Sequence, residues 1–355
     1  LKVFHGLDTI APPLERSVLT VGNFDGVHRA HQQLLAQAGL FAANTGGPVV
    51  VLTFDPHPLS IVGPKEAPPK LSPPAEKLRL LGDAGADIVV IAHSEPALLN
   101  LEAERFVEDV MVRRFRPTHV VEGPSFGFGR KRRGTSELLK RLAPDFGFEV
   151  HIVDPISLQI EADRSVLVSS SLIRRLVAEG EVRRAALCLG RPYALIGEVT
   201  DGAGRGRTLG FPTANIAVGD QLIPADGVFS ARATIAGASH IAAVSIGNTP
   251  TFADGRHQVE AYLLDFDANI RGQQIRIELH QRLRDQRKFE SPQALVTQLQ
   301  KDVEAVRQLA AAARGNVETP KSPNVKTSER RDVETNRDPK GSLTSPDCQK
   351  KGTLT

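Results

Sequence analysis

At 355 residues the chain is longer than one domain usually runs, and a 41% hydrophobic share suffices for real cores, so two domains and a tail are expected. Lys and Arg (44) barely outnumber Asp and Glu (41); the net charge of +3 gives no reason to expect a nucleic-acid partner but welcomes small anionic ligands. Two cysteines, Cys188 and Cys348, cannot build a disulfide framework and fit a reducing cytoplasm, no apolar run approaches the roughly 18 residues that span a bilayer, and Leu1-Lys2-Val3-Phe4-His5 is no signal peptide.

Between Val18 and about Arg184, short apolar runs alternate with amphipathic stretches. The runs are Val18–Gly22, Pro48–Phe54, Asp87–Ile91, His119–Glu122 and Phe148–Val153; the helix candidates lie near His31–Ala43, Ala75–Leu81, Glu102–Phe115 and Ser136–Leu142. This grammar predicts a doubly wound parallel sheet with helices on both faces. Ligands of such sheets sit at the carboxyl ends of the strands, where Gly22, Asp55, Gly123 and the segment after Val153 fall.

The first run opens into Gly22-Asn23-Phe24-Asp25-Gly26-Val27-His28-Arg29-Ala30-His31. Backbone N–H groups and the helix dipole favour negative charge at such a turn, and two imidazoles three residues apart can donate to a phosphate whose charge grows during transfer. An ordinary strand-to-helix turn with exposed histidines is the plainer alternative, which the glycine context and the pairing disfavour. Asp55-Pro56-His57-Pro58 follows the second run, its prolines displaying Asp55 and His57 rigidly. After the fourth run, Glu122-Gly123-Pro124-Ser125-Phe126-Gly127-Phe128-Gly129 offers close backbone approach and flat apolar rings; the basic run Arg130–Arg133 behind it reads as a solvated face or a phosphate contact. Ser169-Ser170-Ser171 with Arg174 one turn on is either a serine N-cap or a seat for leaving pyrophosphate.

Beyond Gly190 the runs shorten and alternate: Tyr193–Thr200, Thr213–Val218, Gly227–Ile235, Ile241–Ile246, Val259–Phe266 and Gln274–Leu283, which predict a compact antiparallel barrel. The loop Asp201–Asn215 carries Gly202, Gly204, Gly206, Gly210 and Arg205, Arg207, then Thr213 and Asn215, oxygen ligands suited to magnesium bridging nucleotide phosphates. Glu260 interrupts an otherwise apolar strand, either as a buried structural carboxylate or as a general base activating an alcohol. A long helix from about Pro292 to Ala312, capped by Ser291, repeats Leu295, Leu299, Val303, Val306 and Leu309 at helical spacing, so one face is expected to close the barrel. The remainder, 314–355, lacks periodicity and reads as a disordered tail.

Taken in order, these motifs resemble the bacterial bifunctional riboflavin kinase and FAD synthetase family, over nearly all of Val18 to Leu309. The resemblance implies an α/β chain: a Rossmann-like nucleotidyltransferase domain with a parallel sheet (1–186), then a six-stranded antiparallel β-barrel riboflavin kinase domain with a C-terminal helix (187–313). It implies phosphorylation of riboflavin to FMN and adenylyl transfer from ATP to FMN, releasing pyrophosphate. His28 and His31 match the family's phosphate-binding histidines at the α-phosphate; Gly22, Phe24, Asp25, Gly26, Ser125, Ser170, Ser171 and Arg174 fall on its ATP site. Asp55, His57, Phe126 and Phe128 are flavin candidates. In the kinase half, Gly204, Gly206, Arg207, Gly210, Thr213 and Asn215 match the ATP segment, Thr213 and Asn215 the Mg2+ ligands, and Glu260 the catalytic base. The implied partners are riboflavin, FMN and ATP, with FAD as product, no nucleic acid or membrane, and a weak homo-oligomer allowed. Ala30 stands where the family has glycine, Ser125 where it has Asn or Asp, and Arg271 where Tyr is common. The alternative reading is an active kinase whose first domain only binds nucleotide or flavin.

Overall fold

Residues 1–63, 67–161, 164–202, 205–248 and 257–315 are described by the computed structural model, so the expected tail after residue 315 and Gly204 lie outside the described residues. Six strands, β1 (Lys2–His5), β2 (Ser17–Val21), β3 (Val49–Asp55), β4 (Ile88–His93), β5 (Pro117–Glu122) and β8 (Glu149–Ile152), form a wholly parallel sheet in the order β1-β4-β3-β2-β5-β8. Because side chains alternate across a strand, Leu19, Val21, Val50, Leu52 and Val90 pack into one layer while Val18, Val49, Val51 and Val89 pack into the other. The continuous apolar runs are therefore buried on both faces, as their composition predicts.

The covering helices are α1 (Arg29–Thr45), α2 (Pro58–Val62), α3 (Pro74–Asp83), α4 (Pro96–Leu99), α5 (Ala103–Arg105), α6 (Arg113–Phe115) and α7 (Ser136–Phe146). The single helix expected over Glu102–Phe115 is instead interrupted: Phe106–Val112 winds wider, as a π-helix, which sets Phe106 against Phe128. A two-stranded ribbon, β6 (Gly127–Phe128) and β7 (Gly134–Thr135), holds the glycine-rich loop. A second ribbon, β9 (Ser157–Glu161) with β10 (Arg164–Leu167), and the short helices α8 (Ser170–Ala178) and α9 (Val182–Leu189) lead to the barrel. The edge strand β1, this ribbon and α9 are elements that sequence patterning did not foresee.

The second half forms a closed antiparallel barrel ordered β11-β12-β15-β14-β13-β16, from β11 (Tyr193–Thr200), β12 (Ala214–Ala217), β13 (Gly227–Ile235), β14 (Ala238–Asn248), β15 (His257–Leu263) and β16 (Gln274–Arg284), with a helical turn α10 (Arg205–Thr208) in the glycine loop. Helix α11 (Pro292–Gly315) starts where expected, with Ser291 Oγ accepting from Ala294 N at 3.2 Å. It does not close the barrel, because β16 already does so by pairing with both β11 and β13. Of its apolar stripe only Val306 is buried; Leu295, Leu299, Val303 and Leu309 are half-buried. What pins it is Asp302, which accepts from Arg284 Nη2 at 2.6 Å and Nε at 3.0 Å, and Asp265, which accepts from Arg307 at 2.7 Å.

The sheet and the barrel share one core. A single buried cluster runs from Leu71, Ile173, Val177 and Leu189 into Leu195, Phe229, Val244 and Ile277. Polar links cross the same seam: Arg276 of β16 bonds Glu76 of α3, and Gln221 Nε2 donates to Leu71 O at 3.1 Å. Residues 1–314 accordingly form one compact unit, and α9 straddles the division expected after residue 186.

Candidate functional site

The sheet order reverses around β2, which has β3 on one side and β5 on the other. Loops leaving neighbouring strands diverge at such a point and open a crevice. A cleft of about 840 Å³ lies there, lined by Gly22, Phe24, Asp25, His28 and His31 after β2, His57 after β3, Gly123 to Gly129 after β5, Asp154 after β8, and Ser169, Ser170, Ser171 and Arg174 of α8.

His28 caps α1 with extended backbone and His31 follows in its first turn, so their rings stack, centroids 3.6 Å apart and 15° from parallel. Phe24 tilts against His31 at 4.9 Å. Burial, then the charge of Arg191, pushes His28 down to about 4. Burial, then His28 and Arg191, holds His31 well below the usual imidazole range. Both imidazoles are therefore neutral at pH 7, and the Nδ1 atom of each is buried without a hydrogen-bond partner among the described residues. Buried polar atoms are rarely left so unless water or a ligand completes them.

The loop that presents them is strained. Phe24, Gly26 and Val27 all have positive φ (49°, 80° and 37°), a conformation that a β-branched residue such as Val27 strongly resists. Arg191 holds the loop in place, donating to Gly26 O at 2.5 Å and Val27 O at 3.0 Å, while Gln32 Nε2 donates to Val27 O at 2.8 Å. Gly26 is required for this turn rather than for ligand approach: a Cβ there would lie 2.9 Å from Leu71, away from the cleft.

Asp25 lines the cleft, yet its carboxylate is occupied from behind. It accepts from Leu71 N (3.1 and 3.0 Å), Ser72 N (3.1 Å) and Arg174 Nη2 (2.5 Å). Arg174 Nε donates to Pro69 O, so this guanidinium is already fixed on two sides. Ser169 is the N-cap of α8, accepting from Leu172 N, and Ser170 Oγ donates to Asp25 O at 2.9 Å. The capping reading of the serine run falls to Ser169, while Ser170 and Ser171 line the cleft.

Of the flavin candidates, His57 and Phe126 line the cleft as separate walls. His57 Nδ1 accepts from Leu59 N, and Nε2 lies 2.9 Å from the Asn23 amide nitrogen. Phe126 stacks on Phe128 at 5.2 Å, but Phe128 is only 5% exposed and wedged against Gly134, so it belongs mainly to the core. Asp55, half-buried at the end of β3, lies outside the cleft lining. Ser125 is exposed at the rim, its carbonyl accepting from Arg132 Nη2 at 3.0 Å, and Lys131 and Arg132 line the mouth, so part of the basic run does reach the site. Ala30 is half-buried and lines the same cleft.

Arg191, Lys77 and Glu122 are the members that sequence reasoning did not assign. Lys77, its amine lowered by burial, donates to Thr53 Oγ1 at 3.2 Å beneath the loop. Glu122 ends β5 with Oε1 accepting from Val21 N at 2.5 Å; burial pushes its carboxyl well above the usual range, favouring the neutral acid in the cleft wall. The carboxylate inside a β-strand pattern was the available signal for Glu122. Arg191 had none, because it acts on a loop more than 160 residues earlier in the chain.

On the barrel, β12 and β15 bring Asn215 opposite Glu260. Val259, Ala261 and Leu263 point inward, so Gln258, Glu260 and Tyr262 point outward, and Glu260 is half-buried rather than sunk in the core. The burial cost expected for it is therefore avoided by period-two alternation. Asn215 is 8% exposed, and Gln258 Nε2 donates to its Oδ1. The glycine loop folds back over this face: Phe211 N donates to Gly206 O at 2.9 Å, a Cβ on Gly206 would lie 2.3 Å from Phe211 O, and Phe211 meets Tyr262 edge-on. Gly206 thus brings Thr213 beside the turn, while Arg207 and Gly210 are exposed on the loop. Arg271 pairs with Asp201 at the root of the same loop.

Comparison with known proteins matches both halves. The FAD synthetase family model covers residues 11–170 and the riboflavin kinase family model covers residues 189–310. The bifunctional riboflavin kinase/FMN adenylyltransferase of Escherichia coli (strain K12) is 34% identical over 85% of this chain and 96% of its own length; that of Listeria monocytogenes is 37% identical over 82% and 91%. A crystal structure described as a macrolide-efflux protein from Streptococcus pneumoniae superposes with TM-score 0.79 and 30% identity, covering 86% of this chain and 99% of that one. Among the described residues, no helix is long and apolar enough to cross a membrane.

Proposed function

The chain belongs to the bifunctional riboflavin kinase/FMN adenylyltransferase family, and from that membership we propose which residues carry each half of the work. Its function is FAD biosynthesis through FMN: riboflavin is phosphorylated by ATP, and FMN then receives AMP from ATP with release of pyrophosphate. A kinase with a merely binding first domain is not favoured.

The observation that carries the adenylyltransferase assignment is the stacked, neutral His28–His31 pair with two orphaned nitrogens at the start of α1. These imidazoles donate to the α-phosphoryl oxygens as charge grows there, and Arg191 and the N-terminus of α1 add fixed positive potential from beneath. Gly22 lets the backbone approach the triphosphate. Ser170 and Ser171 bind the departing pyrophosphate, and Arg174 supplies charge from a position that Asp25 holds. Asp25, Gly26 and Phe24 shape the loop. His57 and Phe126 receive the flavin, with Asp55 and Phe128 supporting them. Little covalent chemistry is asked of the protein; positioning and charge stabilisation carry both reactions.

In the kinase half, Gly206, Arg207 and Gly210 hold the nucleotide, and Glu260 takes the proton from the riboflavin hydroxyl as it attacks the γ-phosphorus. Thr213 and Asn215 offer a hydroxyl and an amide oxygen, hard neutral donors that suit Mg2+ beside phosphate and water, and Asn215 Oδ1 keeps a lone pair beyond its bond to Gln258. When bound there, Mg2+ would neutralise phosphate charge. We place the enzyme in the cytoplasm, consistent with its ATP-dependent chemistry and the buried free thiol of Cys188, as at most a weak homo-oligomer.

One incubation with riboflavin, ATP and Mg2+, resolved by chromatography, tests both assignments. Wild type yields FMN and FAD. His28→Asn should accumulate FMN, whereas Glu260→Gln should form no FMN yet convert supplied FMN to FAD. Undiminished FMN formation by Glu260→Gln would end its role as base.

A further inference from the structure

We propose that His119, Glu149 and His151 form a binding site for a borderline transition-metal dication such as Zn2+, separate from the nucleotide cleft. His119 on β5 pairs with Glu149 on β8, and Val121 pairs with His151. Period-two alternation therefore sets all three side chains on one face of the sheet, the face that α1 covers.

His119 Nδ1 lies 3.0 Å from His151 Nε2 and 3.9 Å from Glu149 Oε2, which is 3.6 Å from His151 Nε2. The point equidistant from these three atoms lies about 2.1 Å from each, the length of a Zn–N or Zn–O bond. Phe41 of α1 stacks on both rings, with centroids 4.8 Å and 3.9 Å away, and so limits their reorientation. Glu149 is 72% exposed, and β8 is the outermost strand, so an ion can enter from solvent and keep water in its remaining position.

The competing account is a bare N–H···N bond between neutral imidazoles with Glu149 an ordinary exposed carboxylate beside them, which the Glu149→Gln measurement separates from metal binding. Two ring nitrogens with one carboxylate select a Zn-type dication over Mg2+, which prefers an all-oxygen shell. The ring that donates in the N–H···N bond need only move its N–H to its other nitrogen for both facing nitrogens to offer lone pairs to an ion. The site also borders function: Glu122, three residues past His119, and Val153, two past His151, both line the cleft. A bound ion ties together the two strands that lead there.

The test titrates Zn2+ alone into the full chain by calorimetry, with imidazole resonances followed by NMR. Wild type should bind one ion that shifts the His119 and His151 rings. His119→Ala/His151→Ala should lose that ion, and Glu149→Gln, altering an exposed side chain, should weaken it by about tenfold or more. Because His28 and His31 also carry free nitrogens, His28→Asn serves as the control and should retain the site. Equal affinity in wild type and Glu149→Gln, or zinc-induced shifts confined to His28 and His31, would overturn the proposal.

Discussion

Replacing Asp25 by alanine should weaken the whole cleft from behind instead of deleting one ligand contact. The carboxylate holds two backbone amides, Leu71 and Ser72, and the Arg174 guanidinium at 2.5 Å, with side-chain exposures of only 12% for Asp25 and 15% for Arg174. Truncation leaves all three donors facing a void. Removing one partner of a buried ion pair costs about 3–5 kcal/mol, and two orphaned amides push the loss toward the upper end. Asp25→Asn keeps an acceptor for the amides but not the charge, so about half of that loss is expected. The chain contains no tryptophan, so urea unfolding is best followed by circular dichroism, comparing midpoints at constant slope. A double-mutant cycle with Arg174→Ala should show strong coupling. A loss below about 1 kcal/mol for Asp25→Ala, or additivity with Arg174→Ala, would refute the argument that Asp25 organises this site.

The histidine pair makes stability depend on pH. Burial, then Arg191, holds His28 at about 4 in the folded state, so between the unfolded value of 6.5 and that point only the unfolded chain binds the proton. Stability should be full above pH 6.5 and fall by about 3 kcal/mol as pH drops toward 4, a slope that His28→Asn flattens and that denaturant titrations at several pH values can measure. Asp302→Ala should strand Arg284, cost about 3 kcal/mol and release α11, read as faster amide exchange in that helix with adenylyl transfer from supplied FMN unchanged. Ala30→Gly with Ser125→Asn should raise FAD formation from FMN, at about 1 kcal/mol of helix stability; an unchanged rate would show that the Ala30 methyl does not crowd the nucleotide.

Local patterning made much of this molecule legible. Continuous apolar runs identified five of the six parallel strands because both faces of that sheet are covered, missing only the partly exposed edge strand β1, and alternating runs identified all six barrel strands, β11 and β13 to the residue. The glycine and histidine spacing after β2 marked the wall of the main cleft because the strain and the polar display there are built within ten residues of chain. Other features resisted. Glu260 looked buried because composition alone does not reveal which face of a strand is inside, and α11 looked like a lid because an apolar stripe does not reveal whether a barrel is already closed by its own hydrogen bonds.

The sequence by itself determined the succession from a parallel sheet to a barrel, which follows from short-range periodicity and turn chemistry, and two motif signatures whose resemblance to known members pointed to the family. Only the tertiary structure decided which groups meet. Arg191 braces a loop at residues 26 and 27, Asp25 holds Arg174 and the segment at 71 and 72, and His119 reaches His151 across two strands. Such contacts depend on the long-range packing of the sheet against α8, α9 and the barrel, and no residue carries in its own neighbourhood a record of what that packing will bring beside it.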